Sequence, residues 1–208
     1  MQVTFNISQI ELEKLVASTV TEQRISFYEV SWEQYEMMLQ LRGDRAFPRL
    51  SYCQGQLEIM TTSPEHETTK KLIARLLEIY ALEKNLELYS CGSVTLRNAL
   101  QAKGLEPDES YCLGSRRDIP DLAIEVIITS GGIDKLAIYR GLGVAEVWFW
   151  QNSNFTIYHL RENDYELIAT SKLFPDLDLR LLATYINPES EPQSIREFRR
   201  SILASEKG

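Results

Sequence analysis

Histidine is almost absent from this 208-residue chain: His66 and His159 are the only two, which excludes a site built on several imidazoles. Cysteine is nearly as scarce. Cys53, Cys91 and Cys112 are widely spaced, with no CxxC pair to hold zinc or run redox chemistry, so they read as reduced and structural. No apolar run approaches the roughly 18 residues of a membrane span. The start MQVTFNISQIELEKL has neither a basic lead nor a long apolar stretch, so a cytoplasmic protein with no membrane partner is expected. Internal repeats, low-complexity tracts and interdomain linkers are also missing. Positive charge is in deficit, with 22 Lys and Arg against 30 Asp and Glu and a net charge of −8. That balance opposes non-specific binding to a polyanion but leaves room for a local basic groove. Arg116-Arg117 and Arg199-Arg200 are the candidate contacts, and a solvated surface is the competing reading of both pairs.

What is present is an ordinary globular composition, long enough for one substantial core. A single domain over residues 1–208 is expected, with a core at 63–151, an N-terminal helix and hairpin extension at 1–62, and a C-terminal hairpin and tail helix at 152–208. In the extension, RISFYEV reads as a strand. Ser31 caps the helix WEQYEMMLQL, with Gln34 completing a capping box, and LSYCQGQLEIM is a hairpin turning at Gln54-Gly55. Ser63 and Pro64 then open an amphipathic helix of about five turns, on which Ile73, Leu76, Leu77 and Tyr80 recur at helical spacing. Three strands follow, LELYSCGSVTL, EPDESYCL and the nearly continuous apolar run DLAIEVII, the last central and buried. GIDKLAIYRGLG is a short helix stopped by glycine, and AEVWFWQ is a strand. NFTIYHL and DYELIAT form a hairpin in which His159 lies on the strand surface, and SIREFRRSIL is a tail helix. The class is α/β. The aromatic strand and the hairpin after it offer unpaired edges, so a homodimer is expected.

Glu125 carries the most information, because it stands inside DLAIEVII, where a lone carboxylate is expensive to bury and is normally paired or bound to a cation. The competing reading is an edge strand whose alternate face meets water, since Asp121 shares that face by period-two alternation. Asp108 lies in the preceding strand candidate. If the two strands pair, their carboxylates converge at one end and repel unless a proton or a divalent cation separates them, and hard oxygen ligands favour Mg2+ or Mn2+. Taken alone, Glu-Pro-Asp-Glu also reads as a turn. Lys135 shares a helical stripe with Ile138, Tyr139 and Leu142. It is either a snorkelling lysine or an ammonium that orients water or neutralises charge on a phosphate. Tracing the stripe of the first core helix backward reaches His66, with Glu65 beside it and Glu67 on the polar side. Glu65 or His66 could approach the site, although a first-turn carboxylate such as Glu65 is also favoured by the helix dipole alone.

Pro107-Asp108 before one strand, Glu125 inside the next and Lys135 on the following helix resemble the PD-(D/E)XK nuclease superfamily. SPEHE, EPD, PDLAIEVI and DKLAIYRGLGVAEVWFW are similar, more narrowly, to the Uma-type family of restriction endonucleases, over about Ile25 to Leu181. The resemblance implies a restriction-endonuclease-like core of helix, three strands, helix and strand, with a four-stranded mixed sheet flanked by helices. It also implies a magnesium-dependent hydrolase of nucleic-acid phosphodiesters, DNA above all. Asp108 and Glu125 would be the metal ligands; apart from the resemblance, the Val126 carbonyl is a candidate third ligand, and Asp121, on the face of Glu125 by alternation, a candidate accessory acid. The superfamily's lysine position, two residues after the second acid, holds Ile127 here, so that role moves to Lys135. Glu109 stands where an apolar residue is usual, and would either disturb the metal site or face solvent. The net acidity and displaced lysine leave a second reading open, a nuclease-fold protein of little activity that binds or assembles. A third is a metal-dependent hydrolase of a small phosphorylated substrate.

Overall fold

The computed structural model describes residues 21–45, 47–129 and 132–205, so the first twenty residues of the expected extension lie outside the described residues. In chain order the elements are β1 (Gln23–Phe27), α1 (Trp32–Arg42), β2 (Arg49–Cys53), β3 (Gln56–Thr61), α2 (Pro64–Glu83), β4 (Leu88–Ser90), β5 (Leu96–Asn98), β6 (Lys103–Leu105), β7 (Glu109–Leu113), β8 (Leu122–Val126), α3 (Lys135–Leu142), β9 (Glu146–Gln151), β10 (Asn154–Arg161), β11 (Asp164–Ile168), α4 (Leu179–Thr184) and α5 (Glu191–Ser205). They fall into two compact units. One comprises Met1–Pro64, Thr95–Glu106 and Thr129–Leu142, and the other Glu65–Val94, Pro107–Ile128 and Gly143–Gly208.

The first unit carries a five-stranded antiparallel sheet in the order β1-β3-β2-β6-β5. Its local signals act as expected. Gln34 N–H donates to Ser31 Oγ, while Ser31 N–H donates to Gln34 Oε1 at 2.7 Å, closing the capping box of α1. Gln54 and Gly55 both take positive φ, 46° and 97°, as the tight turn between β2 and β3 requires. Tyr35 stacks on Tyr52 with ring centroids 5.0 Å apart, in a core with Met38, Leu50, Leu57 and Ile59. Gly104 lies against the Tyr35 ring, where a Cβ would collide. The Arg42 guanidinium pairs with buried Glu106, which also accepts from Thr95 Oγ1 at 2.7 Å. Lys103 Nζ donates to the Ala137 carbonyl at 2.7 Å, and its stem runs over Gly141, where an added Cβ would displace it.

The second unit is a six-stranded mixed sheet in the order β11-β10-β9-β8-β7-β4, in which β8 and β9 are the parallel pair. Its core joins Leu72, Ile73, Leu76, Leu77 and Tyr80 of α2 to Tyr111, Leu122, Ile124, Val126, Trp148 and Trp150 of the sheet, with Phe198 and Ile202 of α5. The 3.6-residue period of α2 and the two-residue period of β8 therefore bury their apolar residues in one contact layer. Cys91 and Cys112 are free, their Sγ atoms 3.4 Å apart across β4 and β7. Burial, followed by its hydrogen bond with Cys112, pushes the Cys91 thiol up to about 11.

Several details differ from the sequence expectation. The segment 86–96 is not one strand: it breaks after β4, Gly92 takes φ 62°, and the chain re-emerges as β5 in the other sheet. The sheet around the expected core has six strands rather than four, because the hairpin β10–β11 extends it. The aromatic strand β9 is thus interior, flanked by β8 and β10, and the edges are β4 and β11. Sequence reading missed β6, whose Lys-Gly-Leu shows no alternation, and α4, a six-residue helix capped by the Asp178 carboxylate.

The two periods give a direct test on α2. Leu76 is fully buried, and Leu76→Ala is expected to destabilise the protein by about 2–5 kcal/mol in urea unfolding. Leu82→Ala on the same helix, at a position 75% exposed, should change stability by less than about 0.5 kcal/mol.

Candidate active site

β8 lies between β7 and β9, and all five of its residues are buried. Alternation sends Leu122, Ile124 and Val126 into the α2 core and puts Ala123 and Glu125 on the opposite face. Glu125 is 0% exposed, so β8 is not an edge strand with a wet face, and the competing reading of this residue fails.

β7 runs antiparallel to β8 with Glu109 opposite Ile124. Asp108 immediately precedes β7 and is 1% exposed. Asp108 Oδ2 accepts the Val126 N–H at 2.8 Å. Two carboxylates beside the Val126 carbonyl form a donor set of hard oxygens, which suits Mg2+ or Mn2+ with water or substrate completing the shell. Among the described residues no group of three or more His, Cys, Asp or Glu side chains forms a metal cluster.

His66 completes this end of the sheet. It stands in the first turn of α2, fully buried, with Nε2 3.1 Å from the Val126 carbonyl and 3.1 Å from Asp108 Oδ2. Glu65, next to it, is exposed. Glu67 does not simply face solvent as its place on the polar side predicts. Its Oε1 lies 3.5 Å from His66 Nδ1, and its Oε2 accepts from Lys70 Nζ at 2.5 Å. Sequence reasoning missed Glu67 and Lys70. The signal was the opposite charge at i and i+3, a pair that meets on any helix.

Glu109 neither disturbs this locality nor faces solvent. Alternation turns it to the α2 side, where it is buried and accepts from Lys71 Nζ at 2.8 Å. Beside it, the Tyr111 hydroxyl donates to Glu78 Oε1 at 3.1 Å, and burial, with the Glu78 and Glu109 carboxylates adding to it, pushes that phenol well above its usual value. Asp121 stands at the other end of β8, four residues or about 13 Å of extended chain from Glu125. There it accepts the Leu113 N–H at 2.7 Å and pairs with Arg117, clamping the β7–β8 turn. Arg116 lies over the Tyr89 ring, 5.7 Å from its centroid, and Arg199 pairs with Glu83. His159 Nδ1 is 3.4 Å from Glu146, a fully buried carboxylate that also accepts from Trp148 Nε1 at 3.0 Å and Ser171 Oγ at 2.7 Å. Lys135 belongs to the first unit, where it opens α3 half-buried, with Ile138, Tyr139 and Leu142 of its stripe buried as expected.

A mixed sheet with flanking helices, in which the helix, the antiparallel strands and the parallel strand succeed one another in this order, is a restriction-endonuclease-like α/β fold. Residues 32–186 match the family model Uma2, described as "Putative restriction endonuclease", and the chain belongs to that family. No curated protein matches the chain.

The separation of Glu109 from the acid pair has a measurable consequence. Lys71→Ala leaves Glu109 buried without that cation and is expected to cost about 1–3 kcal/mol. Adding Glu109→Gln should recover most of the loss in a double-mutant cycle read by chemical denaturation.

Proposed function

We propose that the protein is a divalent-metal-dependent endonuclease of the cytoplasm that hydrolyses nucleic-acid phosphodiester bonds, with DNA as substrate. The observation that supports this reading is the pair of buried carboxylates, Asp108 and Glu125, with Asp108 Oδ2 accepting the N–H of Val126, the residue after Glu125, in a chain of a restriction-endonuclease family. Asp108, Glu125 and the Val126 carbonyl hold Mg2+, with Mn2+ as a substitute. An ion held there would supply Lewis-acid polarisation of a phosphoryl oxygen and a more acidic water. The carboxylates also orient that water by accepting its hydrogens. Position 127 is isoleucine, so Lys135 supplies the ammonium that neutralises charge building on the phosphate.

The net charge of −8 favours a second reading, a nuclease-fold protein that binds or assembles without cutting. Magnesium titration and cleavage of plasmid and oligonucleotide substrates separate the two. Under the first reading the protein acts as a homodimer, and its outer strand β11, with Leu167 67% exposed, is the edge open to a second copy. Sedimentation at micromolar concentration is expected to give the dimer mass, and a monomer would remove that part of the reading.

The role assignment is tested by contrasting two variants. Lys135→Met should lower cleavage by about 10²–10³-fold or more, with stability within about 1 kcal/mol of wild type and metal binding retained or tightened. Glu125→Gln loses a charged ligand and should weaken Mn2+ binding and cleavage together, by about tenfold or more each. Full cleavage by the Lys135→Met protein would show that the lysine is misassigned.

A further inference from the structure

We propose that His66 is a positioning residue, not a base. It pins the Val126 carbonyl and the Asp108 carboxylate in the orientation that receives the cation, and Glu67, held by Lys70, steers its ring. This rests on the metal-dependent reading above and adds a residue to it. Both neighbours of Nε2 at 3.1 Å are oxygens, and a main-chain carbonyl can only accept, so Nε2 carries hydrogen and shares it between Val126 and Asp108 Oδ2. An Nε2 committed in this way has no lone pair to offer an attacking water. Asp108 Oδ2 also receives the Val126 N–H at 2.8 Å. Two donors on one oxygen set the plane of the carboxylate, and the same residue 126 supplies one of those donors and the carbonyl that His66 holds.

On the far side of the ring, Nδ1 is 3.5 Å from Glu67 Oε1, and Glu67 is gripped by Lys70 at 2.5 Å. Lys70 is itself buried, as is His66. Lys70, Glu67, His66 and Asp108 thus lie in series over the start of α2 and the entry to β7, with Lys70 donating to Glu67 and the Glu67 carboxylate near the ring. Histidines held between a carboxylate and a carbonyl have a fixed tautomer and ring plane, which is how groups behind a metal's own ligands tune its affinity.

The test uses Mn2+ binding, read by electron paramagnetic resonance and calorimetry, in the full-length protein. His66→Leu removes the donor and should weaken Mn2+ binding by about 10–100-fold, whereas His66→Gln, whose amide can donate near the same point, should recover most of it. Glu67→Gln should weaken binding less than His66→Leu, and it keeps the test open if His66→Leu fails to fold. Imidazole 15N spectra of the wild type should show a hydrogen-bearing Nε2, and an Nε2 lone pair would overturn the proposal. A folded His66→Leu protein that binds Mn2+ like wild type, while Glu125→Gln does not, would overturn this inference alone. Absence of Mn2+ binding by the wild type would sink the functional reading and this inference with it.

Discussion

Burial of a carboxylate costs several kcal/mol, of order, unless its charge is compensated, and the mixed sheet compensates its buried acids in different ways. Glu146 is enclosed by N–H and O–H donors from β9 and the loop at 171–173, which makes it a structural anchor. Glu109 is matched by the Lys71 ammonium from α2. Asp108, just before β7, accepts the Val126 N–H and lies beside the His66 ring, at the end of β8 that carries Glu125. Under the proposed function, this end of β8 is where the cation would be held.

The register of β7 on β8 governs this outcome. At one end of the hairpin Asp121 ties the turn to Leu113 and Arg117, and at the other Asp108 ties itself to Val126. A slip of one residue would turn Glu125 into the layer of Leu76 and Trp148 and expose Ile124 to the opposite face. The clamp at Asp121 is thus linked through the three residue pairs of β7 and β8 to Asp108, although the two lie at opposite ends of the hairpin. The parallel partner β9 closes the other side of β8, and with both neighbours in place Glu125 has no route to bulk water along the sheet plane.

Much of the fold was legible in the sequence. The capping box at Ser31 and Gln34, the turn at Gln54-Gly55, the stripe of α2, the apolar run of β8 and the hairpin β10–β11 all announce themselves through local chemistry or period. The family resemblance was legible too, from short stretches spread along the chain. Glu125 stood out because a charge within an apolar run is anomalous whatever the fold. The same local reasoning failed where a segment had little pattern to offer, as at β6, or where a run of strand-like residues changed sheets at Gly92.

Which face each polar residue took was decided by tertiary structure. Glu109 could be judged intrusive or solvated from sequence, yet strand alternation together with the position of α2 gave it Lys71 as a partner. Asp121 and Glu125 share a face by period, but the strand's length separates them and the turn claims Asp121. Glu67 looked polar and external until the ring of His66 was brought beside it. Amino-acid type and spacing set the helices, the turns and the cost of burying Glu125, because those depend on neighbours along the chain. Strand order, the interior position of β8, and the meeting of His66 with Asp108 and Val126 depend on residues 42 and 60 positions apart, and only the packed chain brings those together.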